Sequence, residues 1–185
     1  MPTLEQDRDF LQAGIDELEE YLKSSVLFWK LSPAHGLLPQ LTIGGLLLAA
    51  ARVRGSSSSP AEVRSVEEAL QQMDIVRCRW QSAWERKVGQ EVHARHGLWM
   101  NYLQDYQQAP GNFAGMYTQE VRWRVMLQLL SGENFQPGYR GVDLTSLDDI
   151  LRRYFLPGPF TWEPHLQKTF SSQLYWYLYG RLKKS

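Results

Sequence analysis

Few residues in this chain have the type and spacing that chemistry requires. Glu91, His93 and His96 lie close together in sequence. On a helix, histidines three apart share a face and can approach one metal ion. Such a site would also need carboxylates from another helix, and Glu120 and Asp105 are the available donors. Carboxylate-bridged di-metal bundles use Glu-x-x-His pairs. Here the residues three before His35, His93, His96 and His165 are Ser32, Gln90, His93 and Trp162. The simpler expectation is that the histidines occupy a solvated or partly buried face, and no metal or other cofactor is assigned.

Nucleophilic and nucleotide chemistry find no better footing. Cys78 stands between Arg77 and Arg79, and neighbouring cations lower a thiol pKa. A cysteine within a helix more commonly packs as a small hydrophobe. As the single cysteine, it excludes an intramolecular disulfide and a multi-cysteine zinc site. Gly-x-Ser-x-Gly, Walker and Gly-x-Gly-x-x-Gly patterns are absent. No catalytic residue can be named.

Basic and aromatic residues alternate in RCRWQSAWERK (77–87), VRWRVM (121–126) and LRRYF (151–155). Such mixtures can contact phosphates and stack on bases. At helical spacing, however, Arg77, Arg124 and Arg152 are expected to pair with carboxylates or cover aromatic faces. Twenty basic residues balance twenty acidic ones, so no net field draws the chain to nucleic acid or an anionic membrane, and nucleic acid is an unfavoured partner. The large aromatic side chains suit interfaces or aromatic-lined pockets. Trp80, Trp84 and Trp99, with Phe160 and Trp162 of the proline-rich segment FLPGPFTWEP (155–164), are the interface candidates.

The elements that must position these residues are helical. Thr3 to Gln6 form a capping-box pattern. Phe10, Leu11, Ile15, Leu18, Leu22 and Val26 then recur at helical spacing, leaving the acidic residues on a wet face. Pro33, Gly36 and Pro39 break the chain. LTIGGLLLAAARV (41–53) is apolar on nearly every side, as a central helix covered by its neighbours would be, and Gly44 and Gly45 would admit a close partner. It falls short of the roughly 20 residues that cross a bilayer, and no membrane insertion is expected. Ser59-Pro60-Ala61-Glu62 opens the next helix.

Nothing decisive stops that helix before Gln108. Unbroken, it would extend roughly 70 Å, so it must either project towards another chain or bend at Gly89 or Gly97. Its stripe of Val63, Val66, Leu70, Met73, Val76, Trp80, Trp84, Val88 and Val92 winds around the surface, as several partner helices would require. Further helices are expected over 113–131 with Asn112 as cap, from Thr145 to about Tyr154, and over 164–182, with a loop over 132–144. No alternating strand pattern stands out.

The expectation is therefore an all-α, irregular bundle of about five to seven helices with one very long or bent central helix, forming one domain over 1–185. An acidic start without a secretory leader, and the lone cysteine, point to a cytoplasmic protein. The leading functional expectation is a non-enzymatic helical interaction or scaffold protein that self-associates or binds a protein partner. The alternatives are a helical small-molecule binding module with an aromatic-lined pocket and, behind it, a His/carboxylate metalloprotein.

Overall fold

A computed structural model describes residues 2–133 and 142–184. Helix α1 (Leu4–Asp16) begins at the capping box: the Gln6 amide donates to the Thr3 hydroxyl at 3.2 Å, and the Thr3 amide donates to the Gln6 side chain at 2.9 Å. Phe10, Leu11 and Ile15 face the core. The helix resets at Glu17 and continues as α2 (Leu18–Lys23), so Val26 lies beyond it and is exposed. Glu17 anchors the segment that follows, accepting the Trp29 indole N–H at 2.7 Å and the Ser32 amide at 2.8 Å. Reciprocal backbone bonds between Trp29 and Leu41 close that segment into a loop.

Helix α3 (Ile43–Ser56) occupies the centre, packed on α1 and on the later helices α5 (Gln81–Gln108) and α8 (Arg122–Ser131). Gly44 is a point of close approach between α3, α5 and α8. A Cβ there would stand 2.8 Å from Oε1 of Glu91 and 3.2 Å from Cδ1 of Leu130, so only glycine lets these three helices meet.

Helix α4 (Pro60–Arg79) starts at the Ser59/Glu62 capping box with Pro60 in its first turn. The long helix then breaks at neither Gly89 nor Gly97. It breaks at Trp80, whose backbone (φ −115°, ψ 35°) leaves the helical region, and α5 runs uninterrupted through both glycines. Gly97 faces open space, where its missing side chain creates no packing demand for a bend. At Trp80 the break serves packing, letting α4 lie on α1 and α3 while α5 lies on α8.

The expected 113–131 helix is divided into α6 (Pro110–Phe113), a 3-10 turn at Ala114–Met116, α7 (Tyr117–Glu120) and α8, with Ala109 rather than Asn112 ahead of the first turn. Helix α9 (Leu144–Tyr154) is capped by Asp143, which accepts the amides of Thr145 and Ser146. Most of the loop expected over 132–144 lies outside the described residues.

The expected aromatic helix over 164–182 does not form. The chain instead makes 3-10 turns at Pro164–Lys168 and Trp176–Leu178, then a strand, β2 (Tyr179–Leu182), antiparallel to β1 (Phe155–Phe160). Tyrosine hydroxyls explain part of this. Tyr117 donates to the Tyr177 carbonyl at 2.6 Å, Tyr179 to Phe170 at 2.9 Å and Tyr106 to Lys183 at 2.9 Å. The first two satisfy carbonyls that a helix over 164–182 would otherwise have to pair. Two strands have free edges that tolerate Pro157 and Pro159, and the register shifts between Pro157 and Phe160. Apart from this ribbon the architecture is an irregular all-α bundle. Among the described residues, no helix is long and apolar enough to cross a membrane.

Candidate functional site

Helices α1, α3, α5 and α8 leave a groove of about 850 Å³ between them, rimmed by the 28–40 segment. Leu48 and Ala49 of α3 line it, with Phe10 of α1, Leu98 of α5, and Trp123 and Met126 of α8. Three arginines also face it: Arg52, Arg95 and Arg122.

Their chemistry is set by a charged stripe on α5. Lys87, Glu91 and Arg95 follow at four-residue spacing and are all buried, although in sequence they resemble a solvated ladder of i,i+4 pairs. Lys87 places its ammonium on the Ser24 hydroxyl and the Val26 carbonyl, 4.4 Å from the centre of the Tyr21 ring. Burial, reinforced by Arg86, pushes its pKa down.

Glu91, 0% exposed, accepts the Gly44 amide at 2.8 Å on Oε2 and Arg95 Nε at 3.0 Å on Oε1. Together with Thr42, whose hydroxyl accepts the Gly45 amide at 3.1 Å, it caps the start of α3. Arg95 Nη2 donates to the same Thr42 hydroxyl at 3.1 Å. Its Nη1 has no protein acceptor among the described residues.

Arg122 differs from its two neighbours. It makes no ion pair among the described residues, and its Nε is buried with no hydrogen-bond acceptor. Burial pulls its pKa down, Glu120 partly offsets this, and Arg95 adds to the fall. The Glu120 carboxylate is itself engaged by the Trp123 indole N–H at 2.7 Å. The guanidinium carbons of Arg95 and Arg122 lie 4.5 and 4.2 Å from the centre of the Trp123 ring, which fixes both cations in place.

At the other end of the groove Arg52 is fully occupied. It donates to Asp7 at 2.6 Å, to Glu163 at 3.3 Å and to the Pro2 carbonyl at 3.0 Å. Asp7 thus departs from the wet face expected for the acidic residues of α1, being buried as the partner of Arg52. Burial raises the Asp7 pKa against the pull of Arg52.

The residues singled out by sequence are dispersed. Trp99 is 0% exposed, and Trp84 and Trp162 are also buried, their indoles donating to Glu133 and to the Thr118 carbonyl. These three interface candidates fill the chain's own core. Only Trp80 and Phe160 retain partial exposure. Glu91 serves Gly44 and Arg95 instead of His93 and His96. Among the described residues, no group of three His, Cys, Asp or Glu side chains could hold a metal ion.

The arginines of the basic-aromatic stretches behave as expected. Arg77 pairs with Glu133, Arg124 with Asp148, and Arg152 lies 4.0 Å from the centre of the Trp176 ring. The groove arginines were not legible as a set because they come from three separate helices. VRWRVM was the nearest signal, and it does supply Arg122 and Trp123.

Fold and groove together define a class, an all-α bundle with an arginine-bearing apolar groove. No family model, no curated protein and no solved structure matches this chain.

Proposed function

We propose that the protein is a binding module that holds an apolar small molecule in the groove between α1, α3, α5 and α8. The observation that carries this is the groove itself, about 850 Å³ with mainly apolar walls and polar groups gathered at its two ends. Ligand sites characteristically combine such volume, apolar lining and a few fixed polar groups, and often lie between the helices of bundles. The test is titration of the full chain with the neutral fluorophore N-phenyl-1-naphthylamine. Saturable binding is expected, weakened in Leu98→Asp, which places a charge at the groove at an already exposed position. No saturable binding, or equal binding by that variant, would overturn the proposal.

A second reading, self-association, is supported by the outer face of α4. There Val63 and Ile75 are 44% and 46% exposed, and Cys78 is also exposed. Partly exposed Trp80 adjoins this face at the end of the helix, and Phe160 offers a separate apolar position. Light scattering on the purified chain decides it: a concentration-dependent dimer weakened by Ile75→Lys is expected, and a monomer at every concentration removes it.

A further inference from the structure

We propose that the ligand is a monocarboxylate with an apolar body, its carboxylate received by Arg95 Nη1 and Arg122 beside Trp123 and its body lying along Phe10, Leu48 and Met126. This rests on the groove being a ligand site and adds which chemistry enters it.

Three observations carry the proposal. The first is an unmet demand. The buried Nε of Arg122 has no acceptor, and native structures rarely leave such a donor unpaired. Water could meet the donor alone, whereas an anion would meet both the donor and the charge.

The second is charge accounting along the groove. Arg95 is neutralised by Glu91 and Arg52 by Asp7 and Glu163. Arg122 alone lacks a counter-charge within ion-pair distance among the described residues. One uncompensated cation fits a singly charged anion better than a phosphate monoester, which carries close to two charges at neutral pH.

The third is the position of free donors. Arg52 also lines the groove, but Asp7, Glu163 and the Pro2 carbonyl take its Nε, Nη1 and Nη2. The end near Arg95 and Arg122 is therefore the place where an anionic group finds donors to spare, and Trp123 holds both guanidiniums beside it. At the opposite end Asp7 opposes a second carboxylate, so a dicarboxylate of similar length is disfavoured.

The experiment is displacement of N-phenyl-1-naphthylamine from the full chain by dodecanoate, dodecanol, dodecyl phosphate and dodecylammonium, each below its micellar concentration and near neutral pH. Dodecanoate is expected to bind roughly tenfold or more tighter than dodecanol, as a charge-assisted contact implies. Dodecylammonium should be the weakest. In Arg122→Met and Arg122→Gln the advantage of dodecanoate over dodecanol, each referenced to the fluorophore affinity of the same variant, should fall to within about twofold. Saturable fluorophore binding by each variant reports that the groove remains intact.

Equal displacement by dodecanoate and dodecanol overturns the carboxylate assignment and leaves the binding-module proposal standing. Tighter binding of dodecyl phosphate than of dodecanoate replaces the monoanion with a phosphate. A preference that survives both Arg122 variants removes Arg122 from the site. Failure of the fluorophore to bind the unaltered chain overturns the binding module itself.

Discussion

Arg122 and Arg124 are two residues apart on the same helix and meet opposite fates. Arg124 points into the aromatic C-terminal region. There Asp148 accepts its Nε and Nη2 at 2.8 Å each, Tyr177 lies beneath its guanidinium at 4.6 Å, and Arg124 does not line the groove. Burial alone would lower its pKa, but the Asp148 hydrogen bonds and the nearby acidic groups raise it. Arg122 points into the groove, where it lies against the Trp123 indole and feels both the Glu120 carboxylate and the Arg95 cation, but makes no ion pair among the described residues. Two positions on a helix turn through roughly 200°, so one short basic-aromatic motif serves two surfaces. A buried arginine with a bidentate carboxylate is a structural part, whereas Arg122, half-buried, keeps its Nε without an acceptor.

The contrast can be broken most directly at Asp148. Replacing it with alanine leaves Arg124 buried and unpaired, which is expected to cost about 3 kcal/mol in chemical denaturation. A loss under about 1 kcal/mol would mean that the pair is not structural. Next in size is Gly44→Ala. The new methyl would press on Glu91, whose carboxylate is held by Arg95 and the Gly44 amide and cannot easily swing away. Overpacking there should cost about 2 kcal/mol, and because it displaces the support of Arg95 it should also weaken dodecanoate.

Arg122→Met is expected to cost no more than about 1 kcal/mol, because it loses the contact with the Trp123 ring but no ion pair or hydrogen bond. A loss as large as that of Asp148→Ala would erase the distinction between the two arginines.

The exposed Arg8–Glu62 pair, 2.6 Å apart, supplies the baseline of a solvated contact. The hydrogen bond from Arg8, then the amides of Ser59 and Ser58, lower the Glu62 carboxyl from its ordinary 4.5 to about 2. A depressed folded-state pKa contributes stability that is fully present above 4.5 and lost as pH falls through about 2. Side-chain NMR titration should place the Glu62 midpoint near that lower value, and an ordinary midpoint would mean that the contact to α1 does not persist in solution.

What the sequence made legible was local. Thr3 and Ser59 marked helix starts because a capping box is complete within four residues. The all-α class and the central 41–53 segment followed from patterns of similar reach. The failures were tertiary. Gly89 and Gly97 are poor helix formers, but a helix packed along its length keeps its course through them, and the break fell at Trp80, where two packing directions part. The 164–182 stretch has a helical pattern of apolar residues, yet Tyr117, from a distant element, claims the Tyr177 carbonyl within it.

The candidate site was the least legible part. Lys87, Glu91 and Arg95 have the spacing of a surface ladder, and nothing local reveals that this face turns inward. Glu91 was visible as a possible ligand and wrongly grouped with its neighbours His93 and His96. Its real partner, Gly44, is 47 residues away in sequence.

That distance has a consequence for how the chain folds. The first turn of α3 begins Ile43-Gly44-Gly45 and has weak intrinsic helicity, and one of its amides is capped by a carboxylate on α5. Closing so long a loop must precede the reward for closing it. The start of α3 is therefore among the late structures to form, ordered only when α5 docks. The arginine end of the groove, built on that same turn, assembles in the same late step, so a nascent chain lacks it until α5 and α8 are in place.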